Sequence, residues 1–369
     1  MTRCSKAAVV LLEDEQAPFE HERQVHRKLG ERIAQLMGIR FLEIDEAAMI
    51  NPRALYYLPA RTLIGDDRQR ELGIYTPDDF FGGLVSQPYM ATKAISHELL
   101  DGATAPPGWA ADFARLACDA LLRGFTVFSV DDALRAGRRL LEDGPLRIKP
   151  VRATAGRGQR VVSSPTQLAE ASDNLDSKEL AVWGLVLEQN LSSVTTYSVG
   201  QVTIAGLTAS YFGTQQLTHD HAGEEVYGGS QLTVVRGGYR QLLAIDMDPV
   251  VRTAIDLAQR YEAAAFQAFS GFVASRRNYD VVHGRDAQGQ WRTGVLEQSW
   301  RVGGASSAEV LALQAFAQDP SLHQVYASTH EVFDNQPIPD DAVLFYQSDD
   351  REVGQISKYA RIHDNGYSK

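Results

Sequence analysis

"GVLEQSWRVGGAS", residues 294–306, is an apolar strand that ends in a carboxylate, Glu297, and then turns polar through Gln298, Ser299 and Arg301. It closes on Gly303-Gly304 ahead of a new helix. Upstream, "YDVVHGRDAQGQWRTGVLEQS" reads as two strands around turn residues Ala287 to Gln290. Pairing Asp286 with Trp291 across that turn puts Asp280 opposite Glu297. Strand side chains alternate, so Asp280, Glu297 and Ser299 share one face. Opposed carboxylates repel, and a cation or a proton relieves the cost. A hard divalent ion such as Mg²⁺ takes such oxygen ligands together with substrate phosphates. From the hairpin alone, two splayed acids facing solvent are the plainer reading, and the metal reading needs independent support.

Working outward, "LRIKPVRATAGRGQRVV" is a strand that delivers Lys149, followed by a loop with Gly156 and Gly158 and then a second strand. Backbone N–H groups of such a loop face an anion, and a lysine at its base adds a point charge for phosphate oxygens. The loop is neither a P-loop nor a dinucleotide fingerprint, because no helix follows and the glycine spacing differs. Taken by itself it also reads as a hairpin turn with a surface lysine. "GLVLEQNL" is an apolar strand that ends in Glu188 and turns polar through Gln189, Asn190 and Leu191. Free main-chain groups at a strand end can pair with an adenine edge; without other support it is an amphipathic strand end.

The order of these elements, lysine strand, glycine loop, strand-end Glu and distant acidic hairpin, resembles the ATP-grasp superfamily over roughly residues 91–305. The resemblance implies an α+β / α/β chain of ATP-grasp fold, with an N-terminal βαβ lobe followed by two α+β subdomains clasping ATP. It assigns nucleotide contacts to Lys93 (in "YMATKAISHELL"), Lys149, Gly156, Gly158 and the hinge Glu188, Gln189, Asn190 and Leu191. It assigns Mg²⁺ to Asp280, Glu297 and Ser299, and catalysis to Lys149 and Arg301. Arg301, Gly303 and Gly304 face the substrate. "EQSWRVGG" is similar to the family's terminal Glu-x-Asn-x-Arg-x-Gly-Gly motif, with Ser299 at the Asn position, and "SSVTTYSVG" after the hinge offers hydroxyls where a ribose-binding acid is usual. The implied activity is ATP- and Mg²⁺-dependent ligation, in which a carboxylate activated as an acyl phosphate is attacked by an amine. A catalytically degenerate nucleotide-binding or regulatory relative is the alternative. As a whole the chain is most similar to uncharacterised ATP-grasp-like proteins of proteobacteria.

The expected boundaries are an N-terminal α/β lobe over 1–90, a first grasp subdomain over 91–200, a second over 201–325 and a strand extension over 326–369. In the N-terminal lobe "AAVVLL" reads as a strand, then a helix with Val25, Leu29, Ile33 and Leu36 on one face stops at Gly38. "THDHAGEEVYGGS" lacks periodicity and reads as a mobile loop covering the substrate, whose pocket the N-terminal lobe and loops 213–238 would build. A helix over 307–317 would open with a capping box, Ser306 and Glu309. Arg276 and Arg277 read as a pair at a helix end, either reaching a phosphate or solvated or paired with the last carbonyls; Arg236, before Gly237-Gly238, reads as a turn residue, with a substrate contact as the alternative; His219, Asp220 and His221 offer a transition-metal reading but lack a third spaced ligand; Trp300 reads as core.

Over 369 residues the net charge of −11 argues against a nucleic-acid or anionic-membrane surface. Two cysteines, Cys4 and Cys118, exclude a disulfide framework and suit a reducing compartment. No apolar run is long enough to span a bilayer. Composition therefore predicts a cytoplasmic protein without nucleic-acid or membrane partners; small-molecule or peptide carboxylates and amines as substrates are what the resemblance implies. The C-terminal strands would pair with the body or with a second subunit as a homodimer.

Overall fold

The computed structural model describes residues 6–13, 19–152, 158–334, 336–351 and 353–363. Its N-terminal lobe is a parallel sheet in which Ala8–Leu12 lies between Arg40–Leu42 and Leu55–Pro59. The helix Glu20–Met37 packs on it, burying Leu29 and Ile33 with Val25 and Leu36 partly covered beside them. It ends at Gly38, whose φ of 68° lets its N–H turn back to the carbonyls of Ala34 and Gln35.

A four-stranded antiparallel sheet follows, in the order Gly124–Val127, Leu185–Gln189, Leu146–Pro150 and Arg160–Val162. Helices Val130–Leu141 and Pro165–Ser172 cover it over Phe125, Val127, Ile148 and Leu187. Each starts on a serine: Ser129 Oγ accepts from Asp132 N and Ser164 Oγ from Gln167 N.

The body is one eight-stranded antiparallel sheet. Its order is Trp291–Ser299, Arg276–Arg285, Ser192–Ile204, Leu207–His219, Glu225–Arg236, Gln324–Val332, Gly354–His363 and Val343–Asp350. The two sheets therefore part between Gln189 and Ser192, and the C-terminal strands pair with the body. Helix Pro249–Ala268 covers one face, over Val199, Tyr279, Val281 and Val295. On the other face, helix Ser306–Gln318 covers Val202, Tyr211, Leu232 and Val234; the uncovered part of that face opens into a cleft.

Several expectations are corrected. The stretch from 213 to 238 is not a loop but two long strands, Leu207–His219 and Glu225–Arg236, paired from His219↔Glu225 to Ala209↔Arg236. Its polar residues mislead because one side of this hairpin faces the cleft rather than the core. The capping box at Ser306 is absent: Ser306 Oγ accepts from Gly303 N, and Glu309 is fully buried against Arg276. Lys93 opens the short 3₁₀ turn Lys93–Ser96, capped by Thr92, where the family resemblance implies a helix.

Candidate active site

A cleft of about 720 Å³ lies between the two sheets and the N-terminal lobe. Its large-sheet wall carries Asn278, Asp280, Glu297 and Ser299. Asp280 pairs directly with Glu297 and Asn278 with Ser299. The turn itself is displaced by one residue from the expected pairing, since Arg285, not Asp286, faces Trp291. A bulge at Leu296, between Val281↔Val295 and Asp280↔Glu297, absorbs the difference, so the acids meet although the turn register was misplaced. Asp286 shapes that turn by accepting from the amides of Gln288 and Gln290.

Burial, and then the facing Glu297, push the Asp280 carboxyl up to about 6. Gln215 Nε2 and Ser198 Oγ, donating to its Oδ1 at 2.9 and 3.3 Å, only partly oppose this. Burial also raises Glu297, but Lys93, ion-paired with it, together with Lys149 and Arg301 outweighs that and holds it below its ordinary value. Gln298 fixes the lysine's turn, donating from Nε2 to Thr92 O at 2.7 Å and Met90 O at 3.3 Å.

The small-sheet wall carries Lys149 and Glu188, ion-paired and both nearly fully buried, with His97 Nε2 at 3.3 Å from the same carboxylate. Burial lowers the Lys149 ammonium against the pull of Glu188. For Glu188, burial is outweighed by Lys149 and His97, and the carboxyl sits at about 2. At the hinge, the amides of Gln189 and Asn190 are taken by the carbonyls of Arg123 and Pro145. Leu191 N has no carbonyl partner among the described residues. The hinge reading thus narrows to one donor. Asn190 does not line the cleft; its Oδ1 accepts from Arg147, which does. Gly156 lies outside the described residues; Gly158, with φ of 71°, precedes Gln159, which lines the cleft.

Where strand gives way to helix, Arg301, Gly303, Gly304 and Ser307 line the cleft. Arg301 donates to Val302 O at 2.8 Å and has no acid at ion-pair distance among the described residues. Burial lowers its guanidinium against the pull of Glu297, and Arg276 and Arg61 add to the lowering. The amides of Gly304, Ala305 and Ser307 lack carbonyl partners among the described residues, leaving the donor end of the helix open. A Cβ on Gly304 would stand 2.5 Å from the Tyr227 ring, so the close approach there is to protein; a Cβ on Gly303 would meet nothing nearer than 3.4 Å.

Arg276 is not at a helix end. It begins the acid strand, fully buried, with a two-pronged ion pair to Glu309. Its remaining nitrogen donates to Ser299 O, Ser299 Oγ and Arg301 O at 2.9, 3.1 and 2.7 Å, fixing the loop that presents Arg301. Arg277 points to the other face and pairs with Glu262 at 2.8 Å. Arg236 ends the strand Glu225–Arg236 rather than sitting in a turn, and donates to the carbonyls of Asp319 and Leu322 beyond the helix end. Asp220 closes a turn and His221 bonds Gln355 O at 2.9 Å. Among the described residues no group of three His, Cys, Asp or Glu could hold a metal. Trp300 is core, at 1% exposure.

Sequence reasoning missed Asn278, Gln215, Ser198 and Gln298. Alternation was the available signal for Asn278: two positions before Asp280, it lies on the same face. It stands opposite Ser299, so a carboxamide is present beside the site although not at the motif's own position. Its Nδ2 donates to Tyr211 at 3.1 Å, which leaves Oδ1 for the cleft.

Among solved structures the chain is similar to phosphoribosylamine–glycine ligase from Thermotoga maritima, with TM-score 0.52 and 12% identity over 96% of this chain and 92% of that one. D-alanyl-alanine synthetase A from Vibrio cholerae O1 biovar eltor aligns with TM-score 0.46 and 12% identity, over 85% and 97%. An ATP-grasp ligase associated with RiPPs from Chryseobacterium gregarium aligns with TM-score 0.40 and 8% identity, over 85% and 94%. The likeness is one of fold, and the fold is ATP-grasp. Curated proteins give no match. The family described as "Protein of unknown function (DUF3182)" matches residues 9–360, and the chain belongs to it.

Proposed function

We propose that the protein is an ATP- and Mg²⁺-dependent ligase that joins a carboxylate to an amine or similar nucleophile. The observation that carries this reading is the wall of four oxygen donors, Asn278, Asp280, Glu297 and Ser299, facing a wall that carries Lys149 across one cleft. Two opposed carboxylates with a carboxamide and a hydroxyl beside them fit a hard divalent cation, and no soft ligand is among them. Mg²⁺ held there would neutralise charge on the transferred phosphoryl group.

In this reading the Leu191 amide meets the adenine edge, and Lys149 and Lys93 neutralise the phosphates. The substrate carboxylate attacks the γ-phosphorus and ADP leaves. The nucleophile then attacks the acyl carbon of the acyl phosphate and phosphate leaves. Arg301 and the open amides of Gly304, Ala305 and Ser307 face the charge that develops on the acyl oxygen. Arg276 acts through Arg301 by holding its carbonyl.

Mg²⁺ and ATP together, at about 100 times Kd, are expected to stabilise the native state by about 2.7 kcal/mol. Asp280→Asn is expected to abolish the Mg²⁺-dependent part of that shift in a thermal melt. A variant protected as well as the wild type would refute the metal assignment. Phosphate release with paired carboxylates and amines separates a ligase from a relative that only binds nucleotide.

A further inference from the structure

The cleft extends well beyond the acids, and its far half has walls of its own. One is the helix Glu20–Met37, with Val25 and His26; another is the strand pair Gln324–Val332 and Gly354–His363, with His330, Glu331, Ile356 and Lys358. Arg61 and Phe345 complete it, and Arg301 stands where the two halves meet.

One of its cations, Arg301, is without an ion-pair partner among the described residues. Lys358 and Glu331 pair across the strands at 3.0 Å. Glu22 is the acid closest in influence on Arg301 from the helix, without an ion pair between them. His26 feels the result: burial, then Arg301, then Lys358 hold its imidazole down at about 4. Cations that crowd a half-buried neutral ring are relieved by an anion placed among them, and little solvent screens the gain. Beside them Val25, Phe345 and Ile356 present an apolar surface, with Phe345 and Ile356 nearly fully buried.

We propose that this half of the cleft seats a carboxylate with an apolar body, its charged end between Arg301 and Lys358 beside His26 and its body along Val25, Phe345 and Ile356. The proposal rests on the ligase reading for the fate of that carboxylate, not for its seat. Lys358 and the apolar wall are then the specificity determinants, and both lie outside the lysines and acids assigned to nucleotide and metal.

The test is titration calorimetry of the full chain with 3-phenylpropionate, its neutral amide and acetate. The acid is expected to bind at least about tenfold more tightly than either, since it alone supplies both charge and apolar surface. Lys358→Gln should weaken the acid about tenfold and Lys358→Arg should restore it, while Mg²⁺–ATP protection stays at the wild-type level. Equal or absent binding of acid and amide by the wild type overturns the seat, as does wild-type affinity in Lys358→Gln. Lys358-dependent binding of the acid without any Mg²⁺–ATP protection leaves the seat standing and removes the ligase reading.

Discussion

Glu188 on the small sheet and Asp280 on the large one are buried acids on facing walls of the same cleft, and their carboxyls sit at about 2 and about 6. Glu188 is enclosed by Lys149 and His97, so its charge is matched by protein. Asp280 faces Glu297 and receives only neutral donors, Gln215 and Ser198. One wall is electrostatically complete as folded, whereas on the other Lys93 matches only one of the two acids and the second needs a further cation or a proton. Burial alone does not separate the two acids; the neighbours do.

The comparison is broken most severely at Glu188. Glu188→Ala leaves a buried ammonium with no carboxylate, and about 3–5 kcal/mol of stability should be lost in urea unfolding. A loss within error would mean that the wall does not depend on the pair.

Acid titration sharpens the same contrast. The folded carboxyl of Glu188 lies below its ordinary 4.5, so its contribution is complete above that pH and disappears as pH falls toward about 2. Wild-type thermal midpoints should drop steeply through this window, and those of Glu188→Gln less so. Parallel curves would remove Glu188 as the source.

A smaller effect of opposite sign is expected at Asp280. Its folded carboxyl lies above the ordinary 3.8, so stability is lost as pH rises through about 6 and the charged form is penalised at neutral pH. Asp280→Asn, which cannot ionise, should raise the metal-free melting temperature by about 2 °C. A lower midpoint would show that the opposed acids are not repelling.

The smallest effect separates Asn278 from Ser299. Asn278→Ala should weaken Mg²⁺ binding, measured by nucleotide-dependent protection, about tenfold, and Ser299→Ala by less than about threefold. Ser299 Oγ already accepts from Arg276, whereas Asn278 Oδ1 does not. Equal losses would return the neutral ligand to the motif's own position.

How far the sequence carried these conclusions differs from element to element. Strand Leu185–Gln189 and the acid hairpin were legible because apolar runs ending in carboxylates are strong signals. The turn register was not, because Asp286 closes the turn one residue away from the assumed place and a bulge compensates further along. Nothing local in "GVLEQ" announces a bulge. The hairpin from residue 213 to Arg236 was missed because its cleft-facing residues are polar and dilute the alternation. Arg276 was misread because its partner Glu309 is 33 positions away, beyond any local pattern.

The bulge has one more consequence. A regular strand shows a groove every second residue, but here Leu296 and Glu297 both line the cleft in succession. Leu296 joins Leu122, Leu191 and Val282 in an oily patch, and Glu297 lies immediately beyond it. An irregularity of a single residue thus lets one strand offer adjoining footholds to a ligand that is flat and greasy at one end and highly charged at the other.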